Sequence, residues 1–381
     1  MRIFLALPKA SEVQGGAFGR TWYKNFYGTL CDMGHEVYFF DQDALIGNKR
    51  FRNRSKRLSF ASTLLVEMFG KEHHTKPFDL FFSYYKDGMV DPHAIDQIRK
   101  SQVPTVNFSC NNTHQFYLVQ ELSPHFDYNL HSEKGVREKF VAIGANPLWW
   151  PMASNPRYFK PLDQPRTIAV SFVGANYALR ARYVAHLLEN GVDVHAYGPR
   201  WQWGARTRWR SVARRYQLLL RTLLAVLPEE QARASGIMAH HDFCRSLSVC
   251  FPNNVHPSVS DDELIALYSR SHISLGFLEV YDRHDPSRIV TQHLHLREFE
   301  APMSRALYLT GYCEELAECF EPDKEVLVYR NEHEMLEKVL YYLSHPQEAE
   351  RARQAGHKRA LSCHTYQRRF QDLFTQIGVQ G

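Results

Sequence analysis

Between positions 292 and 300 the chain sets Gln292, His293, Leu294, His295, Arg297 and Glu300 in close succession, mixing imidazoles, a guanidinium and a carboxylate at the start of a helical stretch. His293 and His295 mimic a metal-ligating pair. No carboxylate or cysteine partner stands at ligand spacing, so no metal is expected there. The first backbone N–H groups of a helix lack intrahelical partners and attract anions whatever the side chains are. A second group follows the apolar run 168–173, which ends at Gly174. Arg180 and Arg182 stand in the loop or first helical turn beyond it and, two residues apart on a helix, point different ways. A third is the run of Gly15, Gly16 and Gly19 after the apolar residues 3–7. Such a loop lets backbone approach a phosphate or another ligand closely, although an ordinary strand-to-helix turn uses the same glycines.

Short apolar runs at 3–7, 35–40, 78–83 and 105–108 alternate with helix-compatible segments such as 93–100, the pattern of a parallel sheet covered by helices. The alternation restarts at 168–173, 193–197 and 272–277. Between the two series, at 147–161, four prolines interrupt any regular period, which marks a linker. A length of 381 residues suits two domains of ordinary size. The expected organisation is a first domain at 1–155, a second at 162–345, and a C-terminal helical segment at 346–381 that crosses back toward the first.

A net charge of +5 suits phosphorylated ligands, anionic lipid or nucleic acid without choosing among them. The 7 cysteines are scattered, with no C-x-x-C pair, which points to a reducing compartment. No run approaches the roughly 20 apolar residues of a membrane span, and the expected location is cytoplasmic. Two basic stretches stand out. Residues 200–227 combine arginines with Trp201, Trp203 and a leucine run, which suits either an anionic membrane surface or an ordinary surface hairpin. Residues 49–57 form a basic cluster expected in a loop of the first domain. A nucleic-acid partner is disfavoured, because no DNA-binding motif accompanies these clusters.

The sequence order is more specific than the composition. Arg297-Glu298-Phe299-Glu300-Ala301-Pro302 is followed by the strand-like 307–310, by Phe320-Glu321-Pro322 with Glu325, and by His364-Thr365-Tyr366. This order resembles the C-terminal half of group 1 glycosyltransferases, closest to the CgeB-like spore-maturation branch, with its R-x-F-E-A, F-E-P-x-x-E and H-T-Y elements. The strand ending in Phe172-Val173-Gly174 and the helix with Arg180 match a further landmark. The resemblance implies an α/β fold of two doubly wound Rossmann-like domains facing across a cleft (GT-B), with a nucleotide-diphosphate sugar as donor substrate and no cofactor.

It further implies that Glu300 accepts hydrogen bonds from the donor ribose, that Arg180, and less directly Arg182, meet the diphosphate with Gly174, and that Arg297 contacts a phosphate or a structural carboxylate. Related retaining enzymes carry a second glutamate where this chain has Gln292. Ser304-Arg305 replaces the glycine that the family places after its E-A-x-x-x. On the acceptor side, Asn111 and Asn112 stand where acids are usual, and amides cannot act as a base. That fits a retaining, metal-independent transfer in which the leaving phosphate takes the acceptor proton. For an inverting alternative, His114 and His131 are the candidate bases beside Asn112. The acceptor would be a hydroxyl of a glycan or lipid-linked precursor. A non-catalytic sugar-nucleotide or polyanion binder and a transferase acting on modified DNA are the rival readings.

Overall fold

The structure, a computed structural model, describes residues 1–7, 21–41, 53–177, 179–202, 242–281 and 289–379. Gly15, Gly16 and Gly19, residues 203–227 and the start of the 49–57 cluster lie outside them. The chain divides into two compact units, Met1–Tyr158 with Cys363–Gly381, and Phe159–Ser362.

The first unit is built on six parallel strands: β1 Arg2–Leu7, β2 Glu36–Asp41, β3 Leu80–Ser83, β4 Thr105–Ser109, β5 Tyr128–His131 and β6 Pro147–Trp149. Their order is β2-β1-β3-β4-β5-β6. All six residues of β1 are buried, as expected of a strand covered on both faces. Side chains of adjacent residues on β3 point to opposite faces, and each meets its own aromatic cluster. Phe81 packs with Phe4, Phe69 and Ile95 beneath α1 Arg54–Thr75 and α2 Pro92–Arg99. Phe82 instead packs on Phe26 and Trp150. A short α3, Arg137–Ala142, puts Phe140 beside β5. Two expectations change here. The proline-rich 147–161 segment begins with a strand, because Pro147 stands at the first position of an edge strand, where its missing N–H costs little. Arg54, Lys56 and Arg57 open α1 behind the Asn53 cap instead of lying in a loop.

The second unit has β7 Ile168–Val173, β8 Val194–Tyr197, β9 Val255–His256, β10 Ser271–Leu275, an antiparallel hairpin of β11 Glu279–Tyr281 and β12 Ile289–Gln292, then β13 Tyr308–Gly311 and β14 Leu327–Tyr329. The main sheet runs β14-β13-β10-β7-β8-β9, all parallel. Its chain order reverses between β7 and β10, and such a switch point opens a crevice at the carboxyl ends of the strands. Around it stand α4 Arg180–Glu189, α5 Asp261–Arg270, α6 Arg297–Met303, α7 Glu332–Ser344 and α8 Pro346–Cys363. The core joins Val170, Val184, Leu275, Leu309 and Leu327. Past α6, Arg305 has φ 57°, the left-handed conformation that glycine adopts freely. A side chain there costs about 1–2 kcal/mol. Arg305 offsets part of that by pairing with Glu350 on α8 and by offering its carbonyl to Arg166 at 3.1 Å.

The terminal segment is two helices rather than one. Thr365 accepts a hydrogen bond from Arg368 N at 3.1 Å and starts α9, Tyr366–Gln376, so the chain breaks at 364–365. This helix belongs to the first unit, where Tyr366 and Phe370 pack on Phe26 and Trp150. The buried Arg369 donates to Pro151 O and Met152 O, and Trp150 Nε1 donates to Arg369 O at 3.0 Å.

Gly356, inside α8, faces the backbone of Glu325, and an added Cβ would overlap the Glu325 carbonyl oxygen. Alanine usually stabilises a helix interior relative to glycine. Here Gly356→Ala should instead lower stability by about 1–3 kcal/mol in chemical denaturation, through overpacking against a backbone that cannot rotate away.

Candidate functional site

At the switch point β7 ends in Val173 and the chain turns at Gly174. The Gly174 N–H donates to Tyr197 O at 2.8 Å, and its carbonyl accepts from Trp201 Nε1 at 2.7 Å. A Cβ on Gly174 would meet the Phe172 ring at 2.6 Å and Arg180 Nη1 at 3.3 Å, so glycine is what lets the guanidinium sit against the turn. Trp201 is buried and packs edge-on to Phe172. The first tryptophan of the 200–227 segment is therefore core, which corrects its expected place on a membrane-facing surface.

Arg180, the first residue of α4, is 7% exposed. Its guanidinium lies 3.8 Å from the centre of the Tyr177 ring, and its Nη1 and Nη2 donate to Ala175 O at 3.1 Å and Phe277 O at 3.5 Å. Nε has no partner, and among the described residues Arg180 makes no ion pair. Burial pulls its pKa down; Tyr177 opposes this, the nearby Arg297 adds to it, and Glu279 opposes it. Burying an uncompensated cation costs several kcal/mol, which an arriving anion would relieve. Arg182 is exposed on another face of α4. It does not share a face with Arg180, since residues two apart on a helix point different ways.

Arg297, half-buried at the start of α6, also makes no ion pair among the described residues, and its Nε is buried without a partner. Burial alone would lower its pKa, but Tyr268, Glu300, Tyr308 and Glu298 around it outweigh that and raise it. The neighbouring Glu298 does not pair with it. Glu298 is buried and accepts from Tyr308 Oη at 2.8 Å, from Thr310 Oγ1 at 3.4 Å and from the His295 backbone N–H at 2.6 Å. Burial raises its pKa while these donors oppose the rise. Glu298 is a site-shaping residue that the sequence reading passed over; its spacing of three from His295, next to a helix start, was the available signal. Glu300 is 5% exposed, one turn along α6 from Arg297.

The intervening turn differs from expectation. The His293 N–H bonds to Leu278 O at 3.3 Å, and the His295 N–H is taken by Glu298, so these two amides are not free for a phosphate. His293 and Leu294 are buried, the His293 and His295 rings meet edge to face at 4.5 Å, and Gln292 is exposed at the end of β12. Among the described residues no group of three histidine, cysteine or acidic side chains could hold a metal ion. Gly15 and Gly16 lie outside the described residues.

In the first unit, Asn112 and His131 belong to one polar cluster at the carboxyl ends of β4 and β5, with His114 on the turn that follows. Ser109 pairs in register with His131 and donates to Asn112 Oδ1 at 3.2 Å. Asn111 has φ 62°, and the turn it makes is held by the buried Glu133, which accepts from the backbone N–H groups of Asn112 at 3.0 Å and Thr113 at 2.6 Å. The acid expected near the end of this strand is thus supplied by the next strand's loop, across a gap in sequence that no local motif reveals. His131 is buried, stacks on Phe140, and bonds through Nδ1 to Glu133 O at 2.9 Å. A carbonyl only accepts, so Nδ1 carries the proton and Nε2, which has no partner, is the basic nitrogen. Burial lowers the pKa of His131, and likewise of His114.

The second unit thus combines the strand order β14-β13-β10-β7-β8-β9 with two arginines that make no ion pair among the described residues and a buried carboxylate, an α/β architecture with a crevice at its switch point. Residues 180–375 match the family described as glycosyl transferase-like, which is more than half of the chain, and the chain belongs to that family. It is a glycosyltransferase of the GT-B type, with two parallel-sheet α/β units. Solved structures share the fold at low identity. A sucrose-phosphate synthase from Thermosynechococcus elongatus has 12% identity, with 99% of each chain covered and a TM-score of 0.58. Anabaena HepE in complex with UDP and glucose has 10% identity, 100% and 99% coverage and a TM-score of 0.58. The lipopolysaccharide outer core galactosyltransferase WaaB has 12% identity, 99% and 100% coverage and a TM-score of 0.54. No curated protein sequence matches the chain. No helix among the described residues is long and apolar enough to cross a membrane.

His35, His114, His131, His256 and His272 all have pKa values below the ordinary 6.5, each mainly through burial. The unfolded chain therefore binds more protons than the folded one as pH falls below that value. The melting temperature should drop as pH is lowered from about 7 to 5, and a flat profile over that window would contradict the neutral, buried assignment of these rings.

Proposed function

We propose that the protein moves a sugar from a nucleotide-diphosphate donor to a hydroxyl of a glycan or surface-polysaccharide precursor, without a metal and with retention of configuration, as a member of the CgeB-like branch. The observation that carries this reading is the pair of guanidiniums, Arg180 and Arg297, neither of which makes an ion pair among the described residues. Departure of a nucleoside diphosphate leaves charge on phosphate oxygens, and fixed cations in a poorly solvated site stabilise that charge as it develops. Glu300, close to Arg297 on α6, would accept the ribose hydroxyls.

The acceptor belongs to the first unit. The amides Asn111 and Asn112 take no proton at neutral pH, and this supports the leaving phosphate as the proton acceptor in a front-face transfer. His131, with Nε2 as its basic nitrogen, is the group an inverting route would use, with His114 as its neighbour in sequence. HepE is described with UDP and glucose bound, so uridine diphosphate sugars are the first donors to test. WaaB builds a lipopolysaccharide core, which favours a membrane-linked glycan acceptor.

Arg180→Met gives the sharpest check. Replacing a buried, unpaired cation with an apolar chain of similar reach should leave the melting temperature equal or higher. It should weaken uridine diphosphate binding roughly 10 to 150-fold, the loss of one charge-assisted hydrogen-bonding group. Glu300→Ala should raise the KM for donor. Unchanged nucleotide affinity in Arg180→Met, with reduced thermal stability, would make the arginine a structural group and remove the basis of the assignment.

A further inference from the structure

Helix α4 meets the segment after β10 at two levels. Arg180 reaches the Phe277 carbonyl, and one turn further Tyr183 donates its hydroxyl to Glu279 Oε1 at 3.1 Å while its ring stacks on Phe277 at 5.3 Å. Residues three apart share a helix face, so the guanidinium and the Tyr183–Glu279 pair lie side by side at the switch point. Glu279 is 4% exposed, and the Tyr183 hydroxyl is its only hydrogen-bond donor among the described residues. It forms no direct ion pair with Arg180 or Arg297, and its charge compensates Arg180 only from a distance. In the β11–β12 hairpin Glu279 stands directly opposite Gln292. Side chains so placed lie on the same face, with Cβ atoms about 4.5–5.5 Å apart.

A buried carboxylate with acceptor capacity left over, beside cations that hold phosphate, would repel the phosphates themselves but suits neutral hydroxyl groups attached next to them. We propose that Glu279, held by Tyr183 and flanked by the Gln292 amide, is a specificity residue that accepts hydrogen bonds from hydroxyls of the sugar being transferred. This rests on the donor reading above and deepens it. The carboxylate accepts from a hydroxyl, and the amide both donates and accepts, so the pair discriminates among sugars by the position of their hydroxyl groups. No bond is made or broken at Glu279.

The test compares uridine diphosphate with UDP-glucose, UDP-galactose, UDP-N-acetylglucosamine and deoxy analogues of the preferred sugar, by calorimetry and donor turnover on the full chain. Glu279→Gln keeps an oxygen for the Tyr183 hydroxyl but loses the charge. It should bind uridine diphosphate as well as the parent does or slightly better. It should lose roughly 10 to 150-fold in kcat/KM for the preferred UDP-sugar, the value of a hydrogen bond to a charged group. Its preference for that sugar over the matching deoxy analogue should shrink with it. Tyr183→Phe, which leaves the carboxylate in place but unheld, should show a smaller loss in the same direction. Equal weakening of uridine diphosphate and UDP-sugar in both variants, or no change in either, would make the pair a structural clamp and overturn the inference while leaving the donor site standing. A parent protein that binds no nucleoside diphosphate at all would overturn both.

Discussion

A guanidinium buried without an ion pair among the described residues is the constraint on which the second unit depends. Arg180 sits close against Gly174, where a side chain would overlap the Phe172 ring and crowd the guanidinium, and Gly174 is fixed by Tyr197 and by the Trp201 indole. Gly198 beside it has φ 144°, and a Cβ there would overlap the Gly174 carbonyl. Strand order, glycine turn and aromatic packing thus converge on one buried cation that carbonyls and a nearby carboxylate compensate only in part. Arg297 extends the arrangement from the other side of the switch point, and Glu298 is kept from pairing with it because tyrosine, threonine and a backbone amide occupy its oxygens. Burial costs Arg180 stability, whereas the surroundings of Arg297 favour its charge.

The first unit shows a different logic. Its sheet is held by aromatic contacts, and the terminal helix α9 completes one face of it with Tyr366 and Phe370. The H-T-Y element is therefore structural: Thr365 caps the helix, Tyr366 fills the core, and Arg369 ties down the carbonyls of 151 and 152. Its polar edge, with Asn112, His131 and Glu133, keeps one imidazole nitrogen basic by committing the other to a carbonyl.

Much of this was legible in the sequence, because continuous apolar runs and glycine turns report local structure. The runs at 3–7, 78–83, 105–108 and 168–173 are strands within a residue or two. Three kinds of feature were not legible. Pro147 disguised an edge strand, since a proline is tolerated there but reads as a breaker. Glu133, Glu279 and Glu298 act through partners that only the folded chain brings close, and their own neighbours in sequence give no periodic signal. The commitment of the His293 and His295 amides depends on Leu278 and Glu298, so which amides of this turn are already bonded could not be read from the local sequence. Trp201 failed for a related reason. A tryptophan beside arginines reads as interfacial, and only its bond to Gly174 O shows that it belongs to the core.

The most direct measurement is a crystal structure of the full chain grown with uridine diphosphate. The account predicts both phosphates at the carboxyl ends of β7 and β10, bonded to the guanidiniums of Arg180 and Arg297, with the ribose against Glu300. Phosphates bound elsewhere, with Arg180 still packed on Tyr177 and bonded only to carbonyls, would contradict it.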